Sequence, residues 1–191
     1  SDGYRYNTDY DQNQFFIKSS FNRHKTPLEF ITSYSGRKFG SNGFYATPSA
    51  KDQYEETQAS LISLSQRHKK GAWIFKPKVY WRRGQDMYEY IRNKPEIYRN
   101  LHVTNKLGAA FDSSLVSDWG KTGMGFDISS VGIRSNNLGD RSRTMMNFFI
   151  EHRFYLFNKS VDVTPGLVAN YFSDFGSHNF PGIDMGWQIS P

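Results

Sequence analysis

The sequence predicts an all-β protein: an antiparallel transmembrane β-barrel segment of about nine strands, cut from a larger barrel. Two observations predict this fold. Apolar and polar residues alternate with a period of two along most of the chain, and short connections alternate with long ones. Mean hydropathy is -0.68, and no run of apolar residues approaches the roughly 20 that a membrane helix needs, so spanning by helices is excluded. A barrel strand faces lipid with only half of its residues, so this average suits a barrel.

Composition points to one domain over residues 1–191, with 17% aromatic residues and no cysteine. A chain without cysteine has neither a disulfide framework nor a thiolate zinc site. The formal charge is +6 with a pI near 9.4, but the basic residues are spread along the chain instead of forming one patch. Nucleic acid is therefore not an expected partner.

The alternation defines the strands in order along the chain. They are predicted at residues 15–21, 28–34, 54–67, 73–82, 103–115, 124–128, 146–156, 161–171 and 183–189. Residues 73–82 alternate most clearly, whereas residues 54–67 place apolar groups on both faces. Pro77 and Pro165 are unusual within strands, because proline cannot donate a ladder hydrogen bond and is confined to edges or bulges.

The connections are short and long in strict alternation. Short ones are predicted at 23–26, 68–71, 117–120 and 157–160, and long ones at 36–53, 83–101, 134–141 and 172–182. Bacterial outer-membrane barrels have short periplasmic turns, longer outside loops and aromatic residues at both interfaces. Such girdle residues are expected near the strand ends, at Tyr34, Trp73, Trp81, Phe154, Tyr171 and Trp187. An odd number of strands does not close a single-chain barrel, so the chain is interpreted as an excerpt.

Several segments resemble TonB-dependent receptors along the whole chain. They are SDGYRYNTDY at 1–10, FGSNGFY at 39–45, YWRRGQD at 80–86, YRNLH at 98–102, SNNLG at 135–139 and FPGID at 180–184. The chain looks most like the vitamin B12 receptor branch. That resemblance implies a 22-stranded barrel in the cell outer membrane, an N-terminal plug domain, the TonB complex as energy source and a surface lipoprotein lid. The implied function is active uptake of a scarce nutrient, cobalamin or a related corrinoid, and no enzymatic activity.

Ligand contacts are expected in the long connection that follows the fourth predicted strand. Its charged and aromatic residues can grip a polar ligand with aromatic faces and charged hydrogen bonds. The candidates are Arg82, Arg83, Asp86, Tyr88, Tyr90 and Tyr98. The competing interpretation is a solvated outer loop.

No catalytic residue, metal site or cofactor is predicted. His152 falls on the lipid-facing row but has no nucleophile motif beside it, so an interfacial histidine is expected. Gly123 and Gly125 indicate a close-packed lumen wall or a bulge, since no helix follows them. Asp86 with Glu89, and Asp52 with Glu55 and Glu56, could supply oxygen ligands to calcium, but neither spacing matches a calcium loop.

A soluble β-sandwich or small β-barrel that binds a ligand is the alternative. The two interpretations differ over the strand at 73–82. In a barrel wall Trp73, Phe75, Val79 and Trp81 contact lipid while Lys76 and Lys78 face water or a plug. In a soluble domain those aromatic residues form one dry core.

Overall fold

The computed structural model describes residues 3–23 and 26–188, which form a single antiparallel sheet. Its strands are β1 (Tyr10–Arg23), β2 (Thr26–Gly40), β3 (Tyr54–Gln66), β4 (His68–Lys70), β5 (Trp73–Glu89), β6 (Arg99–Ser117), β7 (Gly120–Ser135), β8 (Arg141–Leu156), β9 (Val161–Phe172) and β10 (Gly176–Trp187). A 3-10 turn covers Phe157–Lys159. No helix among these described residues is long and apolar enough to cross a membrane.

Strands β3 and β4 are two parts of one strand that is interrupted opposite a proline. Ser65 lies opposite Lys78 and His68 opposite Phe75, so both parts pair with β5 in one continuous register. Pro77 faces the interruption, where its missing N–H removes a ladder hydrogen bond. The sheet path therefore has nine positions, β1-β2-β3-β5-β6-β7-β8-β9-β10, as the sequence predicts.

The other strand prolines are accommodated in similar ways. Pairing of β8 with β9 is interrupted between Glu151 and Phe154, the part of β8 that lies opposite Pro165. Pro181 lies in β10, which pairs only with β9 among the described residues, so its missing N–H can face away from the ladder. Proline therefore interrupts single hydrogen bonds without ending a strand.

Continuous register gives the sheet one apolar and one polar face, because partners in an antiparallel ladder share a face. The apolar face comprises Phe15, Ile17, Phe21, Leu28, Phe30, Ile62, Leu64, Trp73, Phe75, Val79, Trp81, Leu107, Phe111, Met124, Phe126, Ile128, Phe148, Ile150, Phe154, Leu167, Ile183, Met185 and Trp187. The polar face comprises the alternate residues, among them Lys18, Glu29, Lys76, Lys78, Arg82, Lys106, Asp112, Asp127, Glu151 and Asp184.

The apolar face is open instead of packed against a second layer. Val79, Leu107 and Met185 are 51%, 63% and 69% exposed. Ala50 and Met87 are the only apolar residues buried among those that the structure describes. The dry core that a soluble sandwich requires is therefore not formed by the described residues.

Several predicted connections are shorter in the structure, because the strands extend beyond the apolar residues. Strand β5 runs to Glu89, so the loop predicted at 83–101 is reduced to 90–98, and the one at 36–53 to 41–53. The prediction of a long loop at 172–182 is wrong, since only residues 173–175 separate β9 from β10. Residues 24–25 of the first predicted turn and residue 189 of the last predicted strand lie outside the described residues.

We call the end of the sheet with connections 41–53, 90–98, 136–140 and 173–175 the loop-side end. The opposite end, with connections 71–72, 118–119 and 157–160, is the turn-side end.

Candidate ligand-binding wall at the loop-side end

The predicted ligand-binding residues divide between strand β5 and the loop after it. Arg82, Arg83, Asp86 and Tyr88 lie within β5, whereas Tyr90 and Tyr98 bound the loop. The prediction that all of them lie in one loop is wrong. Beyond Trp81 strand β5 has polar residues on both faces, and a sequence without apolar alternation looks the same as a loop.

Alternation along β5 sends the two arginines to opposite faces. Arg82 is on the polar face, opposite Lys106 of β6. Arg83 lies on the other face, two positions beyond Trp81, and donates a hydrogen bond of 2.8 Å to Gln85. The two arginines therefore belong to opposite faces of the sheet, although both line the same hollow.

The polar face is concave near Arg82. A hollow of about 960 Å³ opens there, and most of its lining residues belong to the polar face. They include Phe16, Ser33, Ser35, Ala59, Leu61, Arg82, Gly84, Thr104, Lys106 and Val131. Its charged lining residues are Arg82, Arg83 and Lys106, so no carboxylate lines the hollow.

Tyr80 lies beside this hollow between two lysines. The Nζ atoms of Lys78 and Lys106 are 5.4 and 5.6 Å from the centre of its ring. Its hydroxyl donates a hydrogen bond of 3.0 Å to Asp127. Cations close to an aromatic face are attracted by the ring quadrupole, so Tyr80 holds both lysines along the polar face.

An aromatic cluster at the loop-side end brings two predicted residues together. The ring of Tyr88 packs edge-on against Tyr45 and Tyr98, with centroids 5.7 and 6.3 Å apart. Phe44 packs edge-on against Tyr45 at 4.8 Å. Tyr90 makes no ring contact among the described residues and is 40% exposed. The contribution of Tyr45 was missed because its loop has no periodicity from which a contact could be inferred.

Gln53 holds this aromatic cluster in place through two hydrogen bonds. Its side chain is fully buried, donating 2.7 Å to the hydroxyl of Tyr88 and accepting 3.2 Å from the backbone N–H of Tyr45. Burial raises the pKa of both tyrosines, and a hydrogen bond from Tyr45 to Glu55 raises the pKa of Tyr45 further. Both phenols therefore stay protonated at neutral pH.

Arg92 ties loop 90–98 to the chain just before β1. Its guanidinium donates two hydrogen bonds to the carboxylate of Asp9, at 2.7 and 2.9 Å, and lies 4.5 Å from the ring centre of Tyr54. The hydrogen bond from Arg92 lowers the pKa of Asp9. Burial, with a hydrogen bond to Glu56, raises the pKa of Tyr54 to about 12. The pairing of Arg92 with Asp9 was not predicted, since the two residues are 83 positions apart in sequence.

Two of the acidic residues considered for calcium accept hydrogen bonds from tyrosines. Asp52 accepts a hydrogen bond from Tyr6, and Glu56 accepts one of 2.8 Å from Tyr54. No group of three or more potential metal ligands occurs in the described part of the chain.

His152 lies on the apolar face at the turn-side end, beside the connection 118–119. Its Nδ1 is 2.8 Å from the hydroxyl of Thr122, and its Nε2 is 3.3 Å from the carbonyl oxygen of Trp119. A histidine with polar partners at the end of the apolar face has the position expected of an interfacial residue.

Gly125 belongs to a close-packed part of the polar face. A Cβ built there would lie 2.2 Å from the ring of Phe149, and one at Gly123 would lie 3.0 Å from Glu151. The pairing of β7 with β8 has no bulge at these positions. Of the two predicted explanations, the close-packed wall is therefore the correct one.

The fold is similar to two receptors of Pseudomonas aeruginosa. The siderophore receptor PirA matches with a TM-score of 0.79 and 8% identity, over 95% of this chain and 31% of PirA. A variant of the ferric enterobactin receptor PfeA matches with a TM-score of 0.78 and 11% identity, over 95% of this chain and 31% of PfeA. The chain thus spans about a third of each receptor. No protein-family model and no curated protein matches the chain. The likeness shows the fold: the antiparallel sheet of this chain matches a segment of each of these two receptors.

Proposed function

We propose that this chain forms part of the barrel wall of an outer-membrane receptor for active uptake of a scarce small-molecule nutrient. One observation supports this most strongly: neighbouring residues of β5, such as Lys78 and Val79, are both exposed but belong to opposite faces. A sheet with a continuous apolar face on one side and charges on the other fits a wall between lipid and an aqueous lumen.

The height of the apolar face fits a bilayer. From Trp73 to Trp81 the apolar row of β5 covers eight residue steps, about 27 Å at ~3.4 Å per residue. A strand tilt of about 40° reduces this to roughly 20 Å across the membrane, near the ~25 Å band of such barrels. Both ends of the row are tryptophans, which prefer membrane interfaces.

The remaining strands, the plug domain and the site that engages the TonB complex belong, in this proposal, to the rest of the full-length protein. The sequence resemblance favours cobalamin or a related corrinoid as the nutrient. The two similar structures are a siderophore receptor and a ferric enterobactin receptor. Uptake of labelled cobalamin and of a labelled ferric siderophore, with and without a working TonB complex, decides between these nutrients. The proposed lipoprotein lid would cross-link to a cysteine placed at Leu138 in the loop-side connection 136–140.

Labelling of single cysteines in outer membranes tests the wall directly. The full-length natural protein is given one cysteine at Trp73, Phe75, Lys76 or Lys78, where this chain has no competing cysteine. We expect a water-soluble, impermeant maleimide to label the two lysine positions and a lipid-partitioning maleimide to label the two aromatic positions. Labelling without this alternation, or no outer-membrane protein at all, would contradict the proposal.

A further inference from the structure

Two cations face each other across the ladder of the polar face. Arg82 of β5 and Lys106 of β6 are direct Cα partners and line the same hollow. Like charges at directly opposite positions destabilise a sheet. In residues 3–23 and 26–188, neither side chain forms an ion pair.

The surrounding protein does not neutralise this pair. No carboxylate lines the hollow. The nearest acid on the polar face of β5 is Asp86, four residues from Arg82 and thus about 13 Å along the strand. Charges at that distance are largely screened at physiological salt, where the Debye length is about 8 Å. Asp127, on β7, accepts a hydrogen bond from Tyr80 and forms no ion pair with Arg82 or Lys106 within the described residues. The two positive charges therefore remain available to an anion.

The rest of the lining fits a small organic molecule. Phe16 is 66% exposed and Leu61 lies on the same face, so the hollow offers apolar contacts beside the cations. Hydroxyl groups of Ser33, Ser35 and Thr104 add hydrogen-bonding partners. A volume of about 960 Å³ lies within the range of small-molecule sites, roughly 300–1,000 Å³.

We infer that the hollow binds a small molecule with an anionic group and an apolar or aromatic body, its anionic group held between Arg82 and Lys106. This inference rests on the proposed function and specifies the charge class of the transported nutrient. The guanidinium of Arg82 can donate two parallel hydrogen bonds to a carboxylate, sulfonate or phosphate, while Lys106 adds a point charge. The hollow lies level with Trp81, at the loop-side edge of the apolar face, where a ligand from outside would enter.

Binding of a fluorescent polyanion to the full-length receptor tests this inference. The probe is pyrene carrying three sulfonates and a hydroxyl (pyranine), and the readout is its anisotropy with receptor in non-ionic detergent. Replacing Arg82→Gln and Lys106→Gln together should weaken pyranine binding at least about tenfold, since two charge-assisted contacts are lost. Arg82→Lys, which keeps the charge, should weaken it much less.

A matched control removes two positive charges elsewhere on the polar face. Lys69→Gln with Lys121→Gln gives the same change in net charge at the turn-side end. Its pyranine affinity should stay within about twofold of the unchanged receptor. Equal weakening by both double variants would mean that net charge attracts the dye, and the inference would be wrong.

Unchanged pyranine binding in the Arg82 and Lys106 double variant would also overturn the inference. If trypsin then cleaved the plug of that variant faster, the cations would instead pair with acidic residues of the plug. The proposed function is judged separately by cysteine labelling in outer membranes. A receptor that keeps its alternating labelling but binds pyranine independently of Arg82 and Lys106 would retain the function and lose this inference.

Discussion

The ring of Tyr80 lies over Gly108 on the neighbouring strand, so closely that a Cβ built on the glycine would be 2.4 Å from the ring. The two residues are direct partners on the polar face. The absence of a side chain at 108 lets the tyrosine lie flat across β6 and reach Asp127 on β7. Glycine covered by an aromatic neighbour is a known means of fixing strand register.

Gly108→Ala should therefore destabilise the protein by about 1–3 kcal/mol, because the new methyl group must displace the ring of Tyr80. Gly84→Ala is the matched control, since its Cβ would meet no atom within 4 Å on the same face. That control should be neutral or stabilising by about 0.5 kcal/mol. Denaturant unfolding of the full-length protein in lipid vesicles measures both. Similar losses in the two variants would contradict the packing of Tyr80 on Gly108.

Asp9 and Arg92 predict a pH-dependent release of loop 90–98. The pKa of Asp9 is lowered by Arg92, so the pair stabilises the loop above the ordinary pKa of 3.8 and is lost as pH falls through the lower folded value. A spin label on Lys94→Cys should stay immobile at neutral pH and become mobile only below pH 3.8, as Asp9 takes up its proton. The pair is partly exposed, so its contribution is at most about 1 kcal/mol.

Asp9→Asn should raise the mobility of the label at Lys94 and make it independent of pH, because the asparagine carries no charge for Arg92. A label at Leu138, in the connection 136–140, serves as the control and should not respond. An immobile label at Lys94 in the Asp9→Asn variant would show that other contacts hold the loop.

Gln53→Leu should loosen the aromatic cluster at the loop-side end. The leucine leaves the backbone N–H of Tyr45 and the hydroxyl of Tyr88 without their partner, at a cost of about 1–3 kcal/mol. Hydrogen exchange of residues 41–53 should accelerate. Gln58→Leu, the same change at a half-buried position of β3, should leave that exchange unchanged. If both variants behave alike, the buried amide of Gln53 does not fix the loop.

The fold was predictable from the sequence wherever an apolar face imposes a period of two. Strand β5 illustrates the limit: its alternation from Trp73 to Trp81 located the strand, but both faces are polar from Arg82 to Asp86 and the prediction ended there. The predicted strand at 183–189 begins later than β10 for a different reason: Pro181 and the glycine after it have the sequence of a turn.

The candidate site was only partly predictable, because its contacts join distant segments. Tyr88 and Tyr98 were expected to share one loop, yet Tyr88 lies in β5, where its ring contacts both Tyr98 and Tyr45 of another loop. Lys106 was not singled out, since its proximity to Arg82 follows from the register of β5 with β6. Alternation assigns a residue to a face, but it does not state which residue of the next strand lies opposite.

Ala109 and Ala110 give the sharpest test of which face contacts lipid, because they are adjacent residues of β6 on opposite faces. Ala109 lies opposite Val79 on the apolar face, and Ala110 lies opposite Lys78 on the polar face. In lipid vesicles, Ala109→Arg should destabilise the full-length protein by about 1–3 kcal/mol, because Ala109 lies between the bilayer midplane and the interface marked by Trp81. Ala110→Arg should cost less than about 1 kcal/mol, because its charge remains in water. Denaturant unfolding followed by tryptophan fluorescence measures the difference. The two variants place the same charged side chain on the same strand. An equal loss in the free energy of unfolding would therefore mean that the apolar face does not contact lipid.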